Sequence, residues 1–597
     1  MIRFLLPYRR LEWLILAVGL LLPSSTMYAD DRLPEIRTGT PTLLGVTGLS
    51  MNGQIHSHGV PTTWYIEYGA TDSYGNKTEA QPIPPKLAAY YRESWDDNWN
   101  GWNSWCPKRL HFKDGGLRNG FIRYEGSPRD DHNHDDGVGT VHLTPYMYPG
   151  SVSLSANAPS AYLAGGDPDF RDAWITQSVR GVNWQPNGTE LMWWSQAQRN
   201  LEVNPDDNTL GPNFKHPNWS YTGTNLTDLL ASGKWETIRY RLINDTNFWS
   251  YCGNNRGGTA YDAYWSINET QRHLNLDLFH MVMFVDPNNR PTGAIDFDEF
   301  EVAYHNYSLV YPSNGGKLIS FPPGSSDDSS CLTDGWRHGE GKTWKSAANP
   351  TVPQEFVFEF GAPVTIDKVQ LHQHPTAPSR EIEVLTSRDG KQWAPLVRGE
   401  IPESHPHGFN YCFLLKKKLH AQATHAKIRI ISGYKADHWG LGEIEFFGSG
   451  AAYTPDDDWF HVNLDLIDRK PGETIHYRLV AVNANGTSSG PDQQYRMPLD
   501  TRPHVITGTA SRIANGSAKV EGRLNPMGRK TEFYFEYGPT TAYGQKSAPR
   551  YGGLQLTPRL AFERLSDLEP GTEYHYRLVA VNETGTSYGE DAIIVAQ

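Results

Sequence analysis

The chain has few cysteines and lacks the short motifs of several enzyme classes. Four cysteines occur in 597 residues, and none stands at CxxC spacing, which argues against a zinc or thioredoxin-like site. Neither HExxH nor the phosphate-cradling GxxxxGK(S/T) pattern is present. GxSxG occurs twice, around Ser488 and Ser587. Each copy lies in a reversal after a strand pattern with no helix following to form a nucleophile elbow, so both are interpreted as turns.

Positive charge is also scarce. The formal net charge is −13 at pH 7, and the only basic run, residues 416–418, is short and lies in a strand-like stretch. A negatively charged surface repels a polyanion unless a local basic patch overrules it. Nucleic acid is therefore not expected as a partner.

Long hydrophobic runs are absent beyond the N-terminus. Arg3, Arg9 and Arg10 flank an apolar run over residues 14–22, and small residues precede a plausible cleavage after Ala29. The run is too short to span a bilayer, so residues 1–29 are interpreted as a secretory signal peptide, with an uncleaved anchor as the alternative. The protein is expected to be secreted or periplasmic, without a membrane span.

The sequence contains a repeat whose first copy is interrupted. The segment HGVPTTWYIEYGATDSYG from His58 resembles MGRKTEFYFEYGPTTAYG from Met527, at an offset of 469 residues. The continuation LSDLEPGTEYHYRLVAVNETGTSYGED from Leu565 matches a segment from Leu466 at an offset of 99. About 370 extra residues therefore lie inside the first copy, which is the length of independently folding domains rather than of a loop.

The repeat itself has the pattern of a β-sandwich. Trp64, Ile66 and Tyr68 alternate with Tyr65 and Glu67, which is the period of a half-buried strand. Pro-Gly turns precede the YRLVAVN strands. The pattern "L.PGT.Y.YRLVAVN..GTS.G" resembles fibronectin type III-like domains. The resemblance implies a split domain at 40–84 plus 454–498 and an intact one at 501–597, with aromatics as core packing and no chemistry.

The second insert, residues 314–450, shows short alternating strands separated by Gly, Pro and Asp turns, which favours a sandwich. The strand-like segments are FVFEFG, VTIDKVQL, REIEVLTSRDGKQW, AKIRIIS and GLGEIEFFG. Over nearly its whole length the segment also resembles the discoidin, or coagulation factor 5/8 C-type, domain, many bacterial members of which are carbohydrate-binding modules of family 32.

The discoidin resemblance implies a structural calcium, held by oxygens of Asp334, Thr343 and Glu443. Oxygen ligands suit calcium, although an ordinary Asp-Gly turn and a surface glutamate are the alternative. Trp344 and Trp393 match core positions and receive no ligand role.

The same resemblance places ligand binding in the loops at one end of the sandwich. Aromatic rings offer flat apolar faces to sugar CH groups, and His and Arg side chains hydrogen-bond hydroxyls. Loop aromatics can instead be hydrophobic plugs, and the His372–His374 pair can instead hold a metal. The candidate ligand residues are Trp336, Arg337, His338, His372, His374, Arg380, Tyr434, His438 and Trp439.

The first insert, residues 85–310, is unusually rich in tryptophan. It holds twelve of the nineteen tryptophans, more than a sandwich core of this length requires. Its strand-like segments, among them AWITQSVRGV, ELMWWSQAQ and GAIDFDEFEVAY, alternate with Gly, Pro and Asn turns. The last of them resembles the closing strand of jelly-roll carbohydrate-binding modules and concanavalin-like domains. A jelly-roll sandwich is predicted.

Carboxylates in this insert raise the question of catalysis. The AIDFDE segment resembles the ExDxxE strand of family 16 glycoside hydrolases, with Asp296 and Glu299 in frame but Ala294 at the nucleophile position, which argues against the reaction. Residues 129–137 gather carboxylates and imidazoles that fit a calcium or acid/base site, or a solvated loop. Asp298 is a further calcium candidate by its resemblance to jelly-roll modules, with a solvent carboxylate at the sheet edge as the alternative.

The cysteines fall in pairs within the inserts. Cys106 and Cys252 lie in the first and Cys331 and Cys412 in the second, so two intradomain disulfides are the simplest of three pairings, with free thiols as the alternative.

Taken together, these patterns predict a secreted, all-β, multidomain protein built of β-sandwiches. Its most consistent function is non-catalytic binding or adhesion to a polysaccharide or glycoconjugate through the inserted sandwiches. A polysaccharide lyase or glycoside hydrolase with its site on the Trp-rich insert is the alternative. A further alternative is a scaffold that binds a cell-surface protein.

Overall fold

The computed structural model describes most of the chain beyond the predicted signal peptide. The described ranges are 32–44, 48–96, 102–103, 108–125, 140–141, 146–147, 169–187, 190–197, 217–224, 226–254, 267–272, 276–284, 291–322, 329–335, 343–403, 413–416, 418–451, 453–466, 469–514, 516–553 and 558–597. The predicted all-β class of multidomain sandwiches is confirmed, because the named strand pairs in these ranges are antiparallel and helices are few and short.

Six strands precede the first insert. In this part of the chain apolar residues alternate, as in the fourth strand, where Trp64 and Ile66 point into the core. The first strand begins at Glu35, ahead of the predicted domain start at residue 40. The strands are β1 Glu35–Thr38, β2 Thr42–Leu44, β3 Gly48–His56, β4 Thr63–Gly69, β5 Asn76–Lys77 and β6 Gln81–Pro82.

The Trp-rich insert forms two main sheets with a shared core. The elements are β7 Leu87–Glu93, β8 Trp102–Asn103, β9 Lys108–Phe112, β10 Phe121–Glu125, β11 Thr140–Val141, β12 Tyr146–Met147, β13 Asp169–Gln185, β14 Glu190–Ala197, β15 Pro217–Tyr221, α1 Thr227–Leu230, β16 Glu236–Arg241, a 3-10 helix Thr246–Phe248, β17 Trp249–Asn254, α2 Ile267–Arg272, β18 Leu276–Phe284 and β19 Thr292–His305. One sheet has the order β16-β13-β19-β10-β9 with β7 on β19, and the other has the order β11-β18-β14-β15-β17.

Tryptophan fills much of this core. Trp193 from one sheet stacks on Phe300 from the other, with ring centroids 6.2 Å apart. Among the described residues of this insert, five tryptophans are buried: Trp95, Trp184, Trp193, Trp219 and Trp249. These five belong to the core, whereas Trp174 and Trp235 are only half-buried.

The second insert is built around one long central strand. Its elements are a 3-10 helix Pro312–Asn314, β20 Lys317–Ser320, a 3-10 helix Ser329–Thr333, β21 Trp344–Lys345, β22 Gln354–Gln373, β23 Glu381–Ser387, β24 Ala394–Glu400, β25 Phe413–Lys416, β26 Ala421–Ile430 and β27 Gly440–Ser449. The order is β21-β27-β22-β26-β23-β24, and β20 and β25 also pair with β22. Trp344 is buried edge-on against Phe356.

The chain then returns to the sheets it left. The returning strands are β28 Trp459–Leu466, β29 Thr474–Asn483, β30 Gly486–Ser489 and β31 Gln493–Arg496. β28 pairs with β3 from His56 to Leu49, and β29 pairs with β4 from Gly69 to Thr63. Residues separated by about four hundred positions thus share two sheets. A separate hydrophobic core, with Trp64 and Phe460 among its members, fills the space between them.

The intact copy of the repeat closes the chain. Its strands are β32 His504–Ala514, β33 Ser517–Asn525, β34 Thr531–Gly538, β35 Gln545–Lys546, β36 Arg550–Gly553, β37 Arg559–Leu565, β38 Glu573–Asn582, β39 Gly585–Tyr588 and β40 Ala592–Val595. The β32-β33-β37 sheet faces a sheet built on β34 and β38, and Phe535 and Leu578 lie in the core between them. That both copies are fibronectin type III-like stays a prediction.

The two ends of the inserted region lie side by side. The backbone N–H of Lys86 donates to the carbonyl of Thr454 at 3.0 Å, and that of Leu87 donates to Oδ2 of Asp456 at 3.2 Å. Adjacent ends are the condition under which one domain accepts another in a loop. No helix within the described ranges has the length and apolarity to cross a membrane.

Candidate functional site

Three segments of the discoidin-like insert meet at one end of its sheet. Residues 374–380 follow β22, residues 401–403 follow β24, and residues 431–439 lead into β27; together we call them the loop platform. The N–H of Arg380 donates to the carbonyl of Ser432 at 2.7 Å, and that of Tyr434 donates to the carbonyl of Pro378 at 3.0 Å. Because backbone hydrogen bonds tie the segments together, the platform holds its side chains in fixed positions.

A group of three side chains, two of them exposed and one half-buried, lies at this end of the sheet. Nε of Arg380 donates to Oε1 of Glu400 at 3.1 Å, and the guanidinium carbon lies 5.7 Å from the ring centroid of Tyr434. The side chains of Arg380 and Glu400 are 53% and 56% exposed. We call Arg380, Glu400 and Tyr434 the Arg380 cluster. It places a half-buried flat ring beside a planar donor and a carboxylate acceptor, which are both open to solvent.

Electrostatics within the cluster follow its geometry. Partial burial raises the pKa of the Tyr434 hydroxyl, Glu400 raises it further, and Arg380 opposes the shift. The phenol therefore keeps its proton to a higher pH than an ordinary tyrosine. Glu400 was missed from sequence because nothing near it marks a site. Its placement comes from the pairing of β23 with β24, which sets Glu400 opposite Glu381, next to Arg380.

Two further predicted ligand residues brace the platform. Nε1 of Trp439 donates to the carbonyl of Lys435 at 3.1 Å, and its indole lies so close to Gly433 that a Cβ there would be 2.2 Å from the ring. Nδ1 of His438 lies 3.0 Å from the carbonyl oxygen of Ser346. Both rings are half-buried. They border the Arg380 cluster while fixing the shape of the loop.

His372 does not lie in a loop, which corrects the prediction. It belongs to β22 and is fully buried, with Nε2 2.7 Å from Oε2 of Glu445. Oε1 of the same glutamate accepts from Nδ2 of Asn306 at 2.9 Å and from the hydroxyl of Tyr311 at 3.2 Å. The imidazole is therefore part of a buried polar network that joins the two inserts. A ligand on the surface does not reach it.

His374 is likewise turned inward, contrary to the prediction of a ligand side chain. It is 5% exposed, and Nδ1 accepts the N–H groups of Thr376 and Ala377 at 3.1 and 3.0 Å. Burial lowers the pKa of His374 to about 4, and the positive charges of Lys345 and His438 lower it too. The neutral ring is a cap for the 374–380 turn. Among the described residues these two histidines are not part of a group of three or more side chains that could hold a metal, so the alternative of a His372–His374 metal pair gains no support.

The loop that carries Trp336, Arg337 and His338 lies outside the described residues, so their ligand role stays a prediction. The same holds for the acidic segment 129–137 and for Cys106 and Cys412. Cys331 is buried in a 3-10 helix, and the disulfide pairing stays a prediction.

Two of the three predicted calcium residues of this insert, Asp334 and Glu443, lie at one turn. Glu443 in β27 is fully buried, and its Oε1 lies 3.4 Å from the N–H of Gly335, directly after Asp334. Thr343 is also buried. The alternative of a surface glutamate is therefore wrong. A buried carboxylate beside a second acidic residue is a donor set that fits a hard cation.

Asp298 holds a loop of the Trp-rich insert. It is fully buried; Oδ2 accepts the N–H of Leu117 at 2.6 Å and Oδ1 that of Glu299 at 2.8 Å. Burial raises its pKa to about 7, with Glu299 and Asp96 adding to the shift. The alternative of a solvent carboxylate is wrong. Calcium here stays a prediction, because Glu299 is paired with Arg92 and Asp96 accepts from Gly120.

The glycosidase-like segment does not present a pair of available carboxylates. Asp296 is fully buried between two guanidinium groups, with Oδ1 2.6 Å from Nε of Arg123 and Oδ2 2.6 Å from Nη2 of Arg180. Glu299 is engaged by Arg92. A retaining mechanism needs one carboxylate as nucleophile and one as acid. The geometry therefore does not support the resemblance of this strand to the catalytic strand of family 16 glycoside hydrolases.

The same two arginines belong to a ladder of stacked groups that sequence inspection missed. Phe112 stacks on Phe121 with centroids 4.7 Å apart, and Trp235 meets Phe121 edge-on at 5.7 Å. The guanidinium carbon of Arg180 lies 4.5 Å from the Trp235 ring centroid. The residues of the ladder come from three separated stretches of the chain, so no local sequence pattern predicts it.

Comparisons with known proteins cover part of the chain. No family model and no curated protein matches the chain. Among solved structures, a CBM32 module of Clostridium perfringens in complex with GalNAc-β-1,3-galactose is 21% identical, covers 24% of this chain and 99% of its own, and has a TM-score of 0.20.

Two further solved structures are also similar to part of this chain. The family 32 module of C. perfringens NanJ in complex with galactose is 14% identical, covers 23% of this chain and 97% of its own, and has a TM-score of 0.19. Allantoicase of Saccharomyces cerevisiae is 15% identical, covers 47% and 74%, and also has a TM-score of 0.19. Likenesses at these TM-scores carry no argument about the function of this chain.

Proposed function

We propose that this protein is a secreted or periplasmic, non-catalytic carbohydrate-binding protein that attaches to a polysaccharide or glycoconjugate through the loop platform of its discoidin-like insert. The observation that carries the proposal is the Arg380 cluster. Tyr434 offers a half-buried ring, Arg380 offers planar donors and Glu400 offers an acceptor; Arg380 and Glu400 are exposed, and all three lie at the same end of the sheet.

The chemistry of the cluster matches that of a sugar. A pyranose presents a face of C–H groups, which stacks on an aromatic ring, and an edge of hydroxyls, which bind planar donors and acceptors. The Arg380–Glu400 pair holds both partners in place before the ligand arrives, so less side-chain entropy is lost on binding. Polar groups that are few and fixed beside an apolar surface are typical of small-ligand sites.

The test is binding of the full mature chain to a glycan array, followed by calorimetry with the saccharide that binds best. Arg380→Ala and Tyr434→Ala are each expected to weaken binding at least tenfold, about 1.4 kcal/mol. Arg398→Ala is the matched control, because Arg398 also pairs with an exposed-face glutamate of the insert, Glu381, at 2.7 Å. That variant is expected to bind like the unchanged protein.

Two outcomes would reject the proposal: no saccharide on the array is retained, or the Arg380 and Tyr434 variants bind as tightly as the control. Release of reducing ends or unsaturated products by the protein would instead support the lyase or hydrolase alternative. Retention on a cell-surface protein after glycan removal would support the scaffold alternative.

A structural calcium at Asp334, Thr343 and Glu443 is part of the proposal. The three residues would supply oxygen ligands and so fix the turn at residues 334–335 against β27. Chelation is expected to lower the melting temperature of the protein, and Glu443→Gln is expected to abolish that difference. Export is tested by the mature N-terminus, which should begin after Ala29.

A further inference from the structure

Two histidines, an aspartate and a glutamate of the split domain converge beside the point where the chain leaves and re-enters it. Side-chain ligand atoms of His56, His58 and Asp457 all lie within 4.8 Å of one another. Nε2 of His56 is 3.7 Å from Oδ1 of Asp457, and Nε2 of His58 is 3.2 Å from Oε1 of Glu35. We propose that these four residues bind a divalent transition metal, with Zn²⁺ as the natural occupant.

The folding of the sheet brings the four residues together. β1 pairs with β3 so that Glu35 stands opposite His56, and β28 pairs with the other edge of β3 so that Trp459 stands opposite the same histidine. His58 follows in the turn after β3, in the left-handed region with φ of 56°. The donors therefore come from three segments, and one of these returns only after the whole inserted region.

His58 is the observation that points to a ligand. Its side chain is 2% exposed; Nε2 faces the carboxylate of Glu35 at 3.2 Å without forming a hydrogen bond, and Nδ1 makes no hydrogen bond within the described residues. A buried polar atom without a hydrogen bond is unfavourable, and native structures rarely keep one. The facing carboxylates of Glu35 and Asp457 are 60% and 64% exposed, so they can move onto an ion that His58 and His56 hold from the inner side.

The donor set selects the metal. Two imidazoles with carboxylates suit zinc, whose bonds to nitrogen and oxygen are about 2.0 to 2.2 Å and whose four ligands stand at the corners of a tetrahedron. Ligand atoms in such a site are roughly 3.3 Å apart, as those bond lengths require. The two separations of 3.2 and 3.7 Å are already close to that value. Calcium and magnesium prefer oxygen ligands throughout and do not fit.

One hydrogen bond must change for the metal to enter. The N–H of His58 donates to Nδ1 of His56 at 3.2 Å, which places the proton of the neutral His56 ring on Nε2, facing Asp457. A metal at Nε2 requires the other tautomer, so the ring proton moves from Nε2 to Nδ1, and Nδ1 ceases to accept from His58. The neutral ring keeps one proton in this exchange, and zinc binding is expected to weaken at low pH because protons compete with the metal for its ligands.

The intact copy of the repeat shows that the turn does not need the histidines. At the offset of 469, Asn525 and Met527 stand where His56 and His58 stand in the split copy. Met527 has the same left-handed φ, 60°, and its N–H donates to Oδ1 of Asn525 at 3.0 Å. The same turn thus forms with an amide and an apolar side chain. The turn therefore does not require the imidazoles of the split copy, and they are available to bind a metal.

The experiment measures zinc binding by the full mature chain after chelation, with stoichiometry by elemental analysis and affinity by calorimetry. The main variant is His56→Asn with His58→Met, because the intact copy shows that these residues support the turn. It is expected to fold and to bind one zinc fewer per chain. Asp457→Asn is expected to lower the affinity at least tenfold.

The control is His476→Ala, which removes another imidazole of the same domain that faces a carboxylate, Asp492, at 2.8 Å. It is expected to leave the stoichiometry and affinity of this site unchanged. A second readout is hydrogen exchange, in which zinc should protect peptides from β3 and β28 in the unchanged protein only. Equal zinc binding by the double variant and the unchanged protein, or no zinc bound by either at micromolar concentration, overturns the proposal.

Discussion

The split and the intact copies of the repeat show how much a small sandwich can absorb without losing its own contacts. In the intact copy, residues 554–558 connect β36 to β37. In the split copy, the corresponding connection between β6 and β28 holds residues 83–458, and with them both inserts. The strands on either side of the connection pair in the same way in both copies. Insertion at this one connection therefore leaves the host sheets whole.

Individual hydrogen bonds repeat between the copies. The hydroxyl of Tyr477 donates to the carbonyl of Gly39 at 2.6 Å, and that of Tyr576 donates to the carbonyl of Gly508 at 2.8 Å. These residues are related by the offsets of the repeat, 99 for the tyrosines and 469 for the glycines. A bond from β29 to the first strands of the domain thus forms whether the intervening chain is short or several hundred residues long.

The largest expected effect comes from the core. Trp64 in the split copy and Phe533 in the intact copy are equivalent and buried. Replacing either by alanine leaves a cavity and should cost about 3 to 5 kcal/mol of the free energy of unfolding of its own copy. Hydrogen exchange of β29 and β38 peptides separates the two copies. Equal loss of protection in both copies after Trp64→Ala would show that they unfold as one unit and would break the comparison.

A smaller effect is expected at the repeated tyrosine. Tyr477→Phe and Tyr576→Phe each remove one hydrogen bond to a backbone carbonyl and should cost about 1 kcal/mol. Urea unfolding at neutral pH, followed by the exchange of each copy, measures the two values. If the losses in free energy of unfolding for the two variants differ by much more than about 1 kcal/mol, the inserts strain the split copy.

The same tyrosines predict a dependence on alkaline pH. Burial raises the pKa of Tyr576 to about 12 and that of Tyr477 further, from an ordinary value of 10.0. The folded state keeps these protons to a higher pH than the unfolded state, so their contribution is complete below pH 10 and is lost as the pH rises from about 10 to 12. The phenylalanine variants lack the ionisation, and their stability should fall less steeply over that range.

The smallest effect is expected at a repeated ion pair. Arg478 lies 2.7 Å from Glu67, and Arg577 lies 2.7 Å from Glu536, which also has Lys546 at 3.7 Å. These pairs are partly exposed, so each arginine-to-alanine change should cost only about 0.2 to 1 kcal/mol. The cost should be greater for Arg478→Ala, because Lys546 still accompanies Glu536 in the intact copy. Thermal unfolding at low and high salt tests this, and the difference should shrink at high salt.

Much of the fold could be predicted from sequence because its strands carry a period of two and its repeat carries offsets. The segment AWITQSVRGV lies within β13, and GAIDFDEFEVAY lies within β19. The two offsets of the repeat predict that the segments before and after the inserts belong to one domain. The structure agrees, because β4 from before the inserts pairs with β29 from after them. Such information is local or internal to the chain, so one sequence suffices to extract it.

The candidate site was predicted less well, because burial there depends on distant segments. Residues 369–373 at the end of β22 are all buried, since other chain covers both faces of the strand at this point. For His372 the cover includes Asn306 and Tyr311, about sixty residues earlier. The alternation of residues in β22 does not reveal that this distant chain buries the end of the strand. From sequence alone, His372 and His374 were therefore predicted to be ligand-binding residues in a loop. Arg380 and Tyr434 lie on turns at the surface, where local sequence is the better guide.

The three consecutive aspartates 456–458 distribute the contacts of the returning chain. Asp456 accepts from Leu87, Asp457 faces His56, and Asp458 pairs with Arg241 of the Trp-rich insert at 3.1 Å. A mechanical load on a tethered glycan would enter the host domain here through two neighbouring chain segments rather than one. Because β28 is hydrogen-bonded along the length of β3, that load would shear many bonds at once instead of peeling them singly.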